Sequence, residues 1–475
     1  MKNYRNKAYF TGCKVLSLIL LIVTSSCNKL IDIPAPEGKV SSENAFANDA
    51  SATSAVLGIY SGIASFQWML TVNNTVNSSL MTDELTYNGS DATYLQFYRN
   101  SISSNNTIVE FSFWQKSYES IYRINSAIEG LTSNTLVKES LRNQLLGECK
   151  FLRAFTYFYL INYFGDVPLV LTSDYRVNAK LSRTNSKEVE ESILADLLAA
   201  QSLLQENYPT NERVRANKWT ATALLARFYL YQKQYLLAET ASTSIINSTM
   251  YSLVLANLND VFLAGSSEAI FQFKPSRNNT NTEEGAIFVP SVTSTVIPNF
   301  TISTALMNKF ELGDKRKAEW IGTLKVNDTD YFYPFKYKQG SSFTSLTEYL
   351  IIFRLAEQYL VRAEARAQQG NLTGAISDIN IIRARSRDSS ITGALPNLPT
   401  TLSNIQTLDA IEKERAVEFF VEQGFRWIDL KRTNRIDVVM KSIKPTTWET
   451  TDGLYPIPAN QILVNTALLQ NPGYN

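Results

Sequence analysis

The feature that most constrains this chain is the spacing of its apolar side chains, which recur at steps of three and four residues over most of its length. This spacing places them on one side of an α-helix. One such stripe consists of Trp114, Tyr118, Ile121, Tyr122, Ile124 and Ile128. The period predicts helices over residues 51–64, 114–131, 138–163, 187–204, 218–232, 234–247, 353–368, 372–386 and 408–423. We therefore expect a mostly α-helical fold, with Trp114 in its core.

Two long segments lack this period. Residues 65–110 are polar and rich in Asn, and residues 253–343 mix short β-branched and aromatic runs with Asn, Thr, Ser and Pro. Such runs predict loops with a few short strands. Because long irregular segments inside a compact domain are often functional, we expect the function of the protein to reside in these two.

The composition excludes several classes of function. The 475 residues include no His, which excludes a Ser-His-Asp triad, a Cys-His pair and any metal site with a His ligand. The 45 Lys and Arg residues nearly balance the 44 Asp and Glu residues, so the net charge of +1 provides no electrostatic attraction for nucleic acid. We predict no cofactor, no metal site and no nucleic-acid partner.

Residues 1–26 have the form of a signal peptide. Positive side chains without any acidic one precede the apolar run 15–23, which is too short to span a bilayer. Small residues then lead to Cys27, as in a bacterial lipobox, although Thr24 stands where Leu is usual. The pattern predicts cleavage before Cys27 and lipidation of its side chain. The alternative is an ordinary secretory signal peptide, in which case Cys27 is not lipidated.

The mature chain would retain Cys27 and Cys149. With Cys27 acylated, no internal disulfide can form, so stability must come from the core, which the length of the chain permits. Cys149 lies in an apolar helical stretch, and we expect it to be buried.

Two predicted helix pairs share an internal spacing. Ala226 and Ala238 are 12 residues apart across one turn, and Ala363 and Ala375 have the same separation across another. Small residues at this separation allow two antiparallel helices to approach closely, as in tetratricopeptide repeats. The alternative interpretation is a pair of generic helical hairpins.

Four separated blocks of sequence carry a more specific resemblance. They are FLRAFTYF at 151–158 with FGDVPL at 164–169, RLAEQYLVRAEA at 354–365, ER with EF and GFRWIDLKR between 414 and 432, and YPIP with QNPGY between 455 and 474. In this order they resemble the SusD/RagB family of surface-exposed nutrient-binding lipoproteins of Bacteroidota. With the lipobox, the resemblance covers the mature chain from end to end.

The resemblance implies a SusD-like α-helical fold with tetratricopeptide-like helix pairs and long loop-rich insertions. It divides the chain into a signal peptide (1–26), an N-terminal half (27–250) and a C-terminal half (251–475), the two halves forming one compact domain. It also implies a lipid-anchored protein on the cell surface at the outer membrane. Such a protein captures oligosaccharides and passes them to a SusC-like TonB-dependent transporter. Peptide ligands are an alternative, because some members of the family are tied to peptide uptake.

The ligand-binding residues are expected in the two irregular segments, since a sugar site needs aromatic faces flanked by amides and carboxylates. The candidates are Trp68, Asp83, Tyr87, Asn88, Tyr94 and Trp320. The alternative for any single aromatic residue among them is packing beneath a loop.

The acidic residues of the shared blocks have a structural interpretation. Glu414, Glu418 and Glu422 follow one another at four-residue steps, and three arginines are close in sequence: Arg415, Arg426 and Arg432. Carboxylates with Arg partners predict charged networks that hold helices together, rather than a general acid and base.

We therefore expect binding without catalysis and assign no catalytic residue. One rival is an all-α glycoside hydrolase, for which Asp83 or Glu84 with Glu283 or Glu284 is the carboxylate pairing to consider. Another is a scaffold whose repeats bind only protein.

Overall fold

The computed structural model describes residues 42–65, 69–277, 281–291, 293–341 and 345–474. The chain divides into a small N-terminal unit, Met1–Ala45, and a large compact unit, Phe46–Asn475. Helix α1 (Ser42–Ala45) is the described part of the small unit. The predicted signal peptide and Cys27 lie outside the described residues.

Helices dominate the large unit, as the sequence predicts. They are α2 (Asp49–Ile63), α3 (Asn74–Met81), α4 (Ala92–Tyr98), α5 (Lys116–Leu131), α6 (Glu139–Phe164), α7 (Tyr175–Asn178), α8 (Ser186–Leu203), α9 (Lys218–Tyr231), α10 (Tyr235–Ile246), α11 (Glu283–Phe288), α12 (Thr304–Met307), α13 (Lys315–Glu319), α14 (Leu355–Gln368), α15 (Leu372–Ser386), α16 (Asn404–Glu418), α17 (Phe425–Arg432), α18 (Ile436–Ile443) and α19 (Ala459–Val464). Short π-helical turns span Met69–Asn73 and Ile108–Gln115. None of the helices in the described ranges combines the length and the apolar character needed to cross a bilayer.

The bounds of most predicted helices agree with the structure to within a few residues. The clearest difference is the helix predicted over 408–423, which begins at Asn404 and ends at Glu418. It ends there because the chain turns sharply: Val421, Gln423 and Gly424 all have positive φ angles, which no α-helix accommodates. Helix α3 was not predicted, because five of its eight residues are polar, although all eight are buried.

The strands form three antiparallel pairs. Their bounds are β1 (Leu85–Tyr87), β2 (Ala269–Phe273), β3 (Phe300–Ile302), β4 (Ile321–Val326), β5 (Thr329–Pro334) and β6 (Leu350–Arg354). β1 pairs with β3, β2 with β6 and β4 with β5. All but β6 lie within the two irregular segments, so the prediction of loops with a few short strands is confirmed.

The two predicted helical hairpins are α9 with α10 and α14 with α15, and they pack side by side through α10 and α14. The four alanines at their crossings, Ala226, Ala238, Ala363 and Ala375, have no exposed surface. Arg366 on α14 pairs with Glu239 on α10, with Nε and Oε1 2.8 Å apart. Small buried residues thus let neighbouring helices approach closely, and charged side chains link their outer edges.

Helix α6 passes through the centre of the N-terminal half, and most of its side chains from Phe151 onward are buried. It ends at Gly165, whose φ of 70° is in a region that side chains disfavour. Cys149 on this helix is buried and forms no disulfide. Trp114 is 3% exposed and packs edge-on against Phe164, as expected for a core residue.

A buried network of charges joins the elements of the C-terminal half, and Glu418 lies at its centre. The Glu418 carboxylate pairs with Arg316, Arg354 and Arg385, and none of these side chains is more than 2% exposed. The three guanidinium groups hold the pKa of this carboxyl well below its ordinary value, against the opposing effect of burial. The predicted network is therefore present, but its arginines come from other elements and not from the neighbouring sequence.

The other arginines of the shared blocks have partners of their own. Arg415 pairs with Asp429, Arg426 with Asp83, and Arg432 with both Glu364 and Asp429. The pairs of Arg415 with Asp429, Arg426 with Asp83 and Arg432 with Glu364 join different elements, whereas the pair of Arg432 with Asp429 lies within α17. The acidic and basic residues of the blocks therefore hold helices and loops together.

Substitution Glu418→Gln is expected to lower the free energy of unfolding by about 3–5 kcal/mol, because it leaves three buried arginines without their shared carboxylate. Urea denaturation at pH 7 would measure the change.

Glu119→Gln is the matched control for this experiment. Glu119 pairs with Lys116 and Arg123 on α5, but all three side chains are 40–51% exposed, so the expected loss is below about 1 kcal/mol. Equal losses in the two variants would contradict the central role of Glu418.

Candidate functional site

The two irregular segments meet where β1 pairs with β3. Thr86 lies opposite Thr301, and Tyr87 lies opposite Phe300. Beyond the last pair the contact continues, because the backbone N–H of Asn88 donates to the carbonyl oxygen of Asn299 at 2.8 Å. A three-residue ladder thus brings together segments that are more than 200 residues apart in sequence.

An aromatic cluster forms at the end of this ladder. The ring centroid of Tyr94 on α4 lies 5.8 Å from that of Tyr87 and 5.3 Å from that of Phe300, and Phe288 supports Phe300 from α11. Tyr87 and Phe300 are buried, whereas the side chain of Tyr94 is partly exposed. Tyr94 is therefore the member of the cluster that offers ring surface to solvent.

Asn88 lies at the rim of this cluster and is exposed. Its side-chain amide donates to the carbonyl oxygen of Pro298 at 2.9 Å and to Thr301 Oγ1 at 3.0 Å. The donors of the amide are thus used to join the two segments. Its carbonyl oxygen remains as the group that could accept a hydrogen bond from a ligand.

A small cleft opens beside these segments, lined by Ala64 and Thr71 on one side and by residues 273–276 and 281–284, including Glu284, on the other. Thr75 donates to Glu284 Oε1 at 3.2 Å. The other oxygen, Oε2, is buried and has no hydrogen-bond partner. The enclosed space is about 20 Å³, enough for one water molecule or one hydroxyl group but not for a sugar ring.

Burial raises the pKa of the Glu284 carboxyl to about 7. Near neutral pH this group is therefore partly protonated, and it can both donate and accept a hydrogen bond.

Helix α11 connects the cleft to the aromatic cluster. Glu284 lies in its first turn, and Phe288, its last residue, packs against Phe300 at 6.0 Å between centroids. We use the name loop face for the surface formed by Tyr87, Asn88, Tyr94, Glu284 and Phe300. Sequence reasoning considered Glu284 only as half of a catalytic pair. It missed Phe288 and Phe300, because α11 has only six residues and β3 only three, too few for a clear periodic pattern.

Asp83 lies beneath this face and not on it. Its carboxylate accepts two hydrogen bonds from Arg426, at 2.8 and 2.9 Å, and pairs with Lys309 at 3.1 Å. Burial opposes ionisation, but the two cations outweigh it and lower the pKa of Asp83 to about 2. Asp83 is 5% exposed, so its visible role is to fix the start of β1 to α17.

Trp320 and Trp68 complete the set of predicted residues. Trp320 has no exposed surface: its indole N–H donates to the carbonyl oxygen of Leu258 at 3.2 Å, and Phe262 packs on it edge-on. It has no free face on which a sugar ring could stack. Trp68 lies outside the described residues.

No group of three or more acidic or cysteine side chains in the described ranges is arranged to hold a metal ion. The groups of the loop face that could contact a ligand are thus aromatic rings, one side-chain amide and one carboxyl group.

Two family models match the chain. One, described as "Starch-binding associating with outer membrane", matches residues 41–230, and the other, described as "SusD family", matches residues 313–474. Together they span most of the large unit and leave out most of the second irregular segment.

Individual relatives agree with these matches. The chain is 26% identical to SusD-like protein P38 of Formosa agariphila, over 100% of both chains. The solved structure of B. fragilis NanU aligns with a TM-score of 0.77 at 25% identity, covering 93% of this chain and 100% of that one. A structure described as a laminarin-binding SusD-like protein aligns with a TM-score of 0.74 at 21% identity, covering 90% and 100%. This chain belongs to the SusD/RagB family.

Proposed function

We propose that this protein binds an oligosaccharide on the loop face and passes it unaltered to a SusC-like TonB-dependent transporter. The observation that carries the proposal is the junction of the two irregular segments, where Tyr94 offers a partly exposed ring face and Asn88 an amide oxygen. The carboxyl group of Glu284 lines the neighbouring cleft, which has room for one hydroxyl group. Carbohydrates are recognised by this combination, because their CH faces stack on rings and their hydroxyl groups form hydrogen bonds.

The relatives support a glycan as the ligand. One structural neighbour is described as binding laminarin, and one matching family model is described as starch-binding. Peptides are the alternative ligand class, and the binding experiment below includes them.

Two of the carboxylates considered for a hydrolase, Asp83 and Glu84, are buried and already bound to other groups of the protein, which favours binding without hydrolysis. Asp83 is occupied by Arg426 and Lys309. Glu84 is 3% exposed and accepts a hydrogen bond from the backbone N–H of Val421 at 3.1 Å. A glycosidase needs two carboxyl groups that reach the glycosidic bond from either side, and these two side chains are directed into the protein.

The proposed location is the cell surface, with the protein anchored in the outer membrane by a lipid on Cys27. One matching family model is described as associating with the outer membrane, and the sequence before Cys27 has the form of a lipoprotein signal. Tethering keeps a captured ligand at a high effective concentration beside the transporter.

Substitution Tyr94→Ala is expected to weaken oligosaccharide binding about 2- to 10-fold, because one stacking contact contributes about 0.5–1.5 kcal/mol. Calorimetry against laminarin oligosaccharides, starch oligosaccharides and a set of short peptides would measure it, with product analysis of the same samples. Tyr122→Ala is the control, since Tyr122 is 51% exposed on α5 and lies outside the loop face. Equal affinity for glycans in both variants, or shortening of the oligosaccharide, would contradict the proposal.

Glu284→Gln is expected to change how stability depends on pH. The pKa of Glu284 is about 7 in the folded protein against an ordinary value of 4.5, so its contribution is fully present below pH 4.5 and is lost as the pH rises to about 7. The difference in unfolding free energy between variant and wild type should therefore shift in favour of the variant by on the order of 2–3 kcal/mol between pH 4 and pH 8.

Chemical denaturation at both pH values would measure this difference. Glu283→Gln is the control: burial also raises the pKa of Glu283, but this side chain is only partly buried and pairs with Arg277. An E284Q difference that does not depend on pH would show that the pKa of Glu284 is not raised in the folded protein.

Cys27→Ser is expected to abolish fatty-acid labelling and to release the protein from the outer membrane. Metabolic labelling with a fatty acid, followed by fractionation of the cells, would measure both effects. Cys149→Ser, at a buried helical position, is the control and should keep its label. Undiminished labelling of the C27S protein would refute the anchor.

A further inference from the structure

We infer that a cavity among the ends of five helices is a second carbohydrate site, which takes neutral sugar rings and is separate from the loop face. This inference rests on the proposed function only for the kind of ligand used to test it. The cavity, called here the helix-end cavity, lies where the C-terminal ends of α9, α14 and α17 meet the N-terminal parts of α10 and α16. Its volume of about 400 Å³ is typical of small-molecule sites. The residues that line it include Tyr231, Tyr235, Glu364, Arg415, Asp429 and Arg432.

Ion pairs join the side chains on the wall of this cavity. Arg415 Nε lies 2.7 Å from Asp429 Oδ2, and Arg432 Nε lies 2.8 Å from Asp429 Oδ1. Arg432 also donates to both carboxylate oxygens of Glu364, at 2.5 and 2.7 Å. Its guanidinium carbon lies 5.0 Å from the centre of the Tyr231 ring. The wall is therefore one group of side chains in direct contact, contributed by α9, α14, α16 and α17.

Two polar groups on this wall have no partner among the described residues. Arg415 is 3% exposed, and its Nη1 atom is buried without a hydrogen-bond acceptor. Phe419 and Phe425 hold this guanidinium group, with ring centres 5.2 and 5.8 Å away, but an aromatic ring is a weak acceptor. The hydroxyl group of Tyr231 also forms no hydrogen bond, and because burial raises its pKa it stays protonated. A ligand that brings oxygen acceptors would satisfy both donors.

The charges around the cavity favour a neutral ligand. Its lining contains four acidic and four basic side chains, namely Glu364, Asp409, Glu412 and Asp429 with Lys233, Arg415, Arg432 and Arg435. Three helix C-termini against two N-termini add no attraction for an anion. A cation is disfavoured because the two unpartnered groups are donors. Hydroxyl groups suit this lining, since they accept from the donors and donate to the carboxylates.

Tyr235 supplies the apolar face that a sugar ring needs. It is the first residue of α10 and is partly exposed, and no aromatic or cationic side chain of the described ranges lies against its ring. The ring of Tyr231, by contrast, is already in contact with Arg432 and Phe158, so this residue offers its hydroxyl group only. One free ring beside hydroxyl, guanidinium and carboxylate groups is the combination that binds a carbohydrate.

A smaller cavity of about 170 Å³ adjoins the first, because Tyr231 and Arg432 line both. Its wall carries further polar side chains, those of Asn162, Ser186 and Glu190. A chain of sugar units that passes Tyr231 can therefore contact both cavities, which favours an oligosaccharide over a single ring.

The test uses the complete chain without its signal peptide, and maltotriose and laminaritriose as neutral probes. Calorimetry gives the number of bound molecules, and hydrogen–deuterium exchange shows where they lie. Wild-type protein should bind two molecules of one of these sugars. Exchange should slow at least twofold beside the loop face, at residues 298–302, and beside the helix-end cavity, in the turns 232–234 and 433–435.

Two substitutions address the cavity itself. Tyr231→Phe removes only the unpartnered hydroxyl group, and Tyr235→Ala removes the free ring. Each should weaken binding at the helix-end cavity about 2- to 10-fold and reduce the protection of both turns, while binding at the loop face is unchanged. Tyr229→Phe is the matched control, because Tyr229 is on the same helix, is 9% exposed and does not line the cavity. If the Y235A protein unfolds, the Y231F protein, which keeps its ring contacts, gives the measurement.

The outcomes separate this inference from the proposed function. One bound sugar, with protection confined to the loop face, would overturn the inference and leave the proposed function in place. Protection confined to the two turns would support the inference and contradict binding at the loop face. Unchanged affinity at the cavity in both the Y231F and Y235A proteins would also overturn the inference.

Two further results would count against a neutral sugar. Tighter binding of glucuronic acid than of glucose at the cavity would refute the neutral class of ligand. A crystal structure grown with maltotriose in which only water meets Arg415 Nη1 and Tyr231 Oη would show a hydrated cavity and refute the site.

Discussion

The carboxylate of Glu418 is the contact on which the rest of the structure depends. It is fully buried among the guanidinium groups of Arg316, Arg354 and Arg385, which reach it from α13, from the end of β6 and from α15. Each arginine has a second acidic partner as well, so every buried charge in the group is compensated. A protein of this size that forms no disulfide among its described residues uses buried ion pairs where smaller secreted proteins use cysteines.

The loop face depends on the same region through the turn that follows α16. In this turn the backbone N–H of Val421 donates to Glu84, and the side chain of Asn74 donates to the carbonyl oxygen of Gln423 at 2.9 Å. Val421 has a φ of 51°, an unfavourable angle for a β-branched residue that costs about 1–3 kcal/mol and persists only because its surroundings fix it. The strained turn thus holds the start of β1, and with it the junction of the two irregular segments, against the helical scaffold.

Sequence reasoning predicted most of the long helices but not the side-chain contacts between distant parts of the chain. Helical period depends on residues close in the chain, so the bounds of α5, α14 and α15 could be predicted to within two residues or so. Contacts such as Asp83 with Arg426 join residues more than 300 positions apart, and no local pattern encodes them. For the same reason Trp320 resembled a stacking platform, although it lies in the core, whereas the burial of Trp114 followed from its own helix.

The distribution of the Glu418 network along the chain has a consequence for the order of folding. Glu268, Arg316, Arg354 and Arg385 all precede Glu418, so a chain made from its N-terminus lacks the carboxylate that the three arginines share until Glu418 has followed. The buried network can therefore be completed only when most of the chain is present. The charges that stabilise the folded protein thus delay the closure of its core until the C-terminal helices are available.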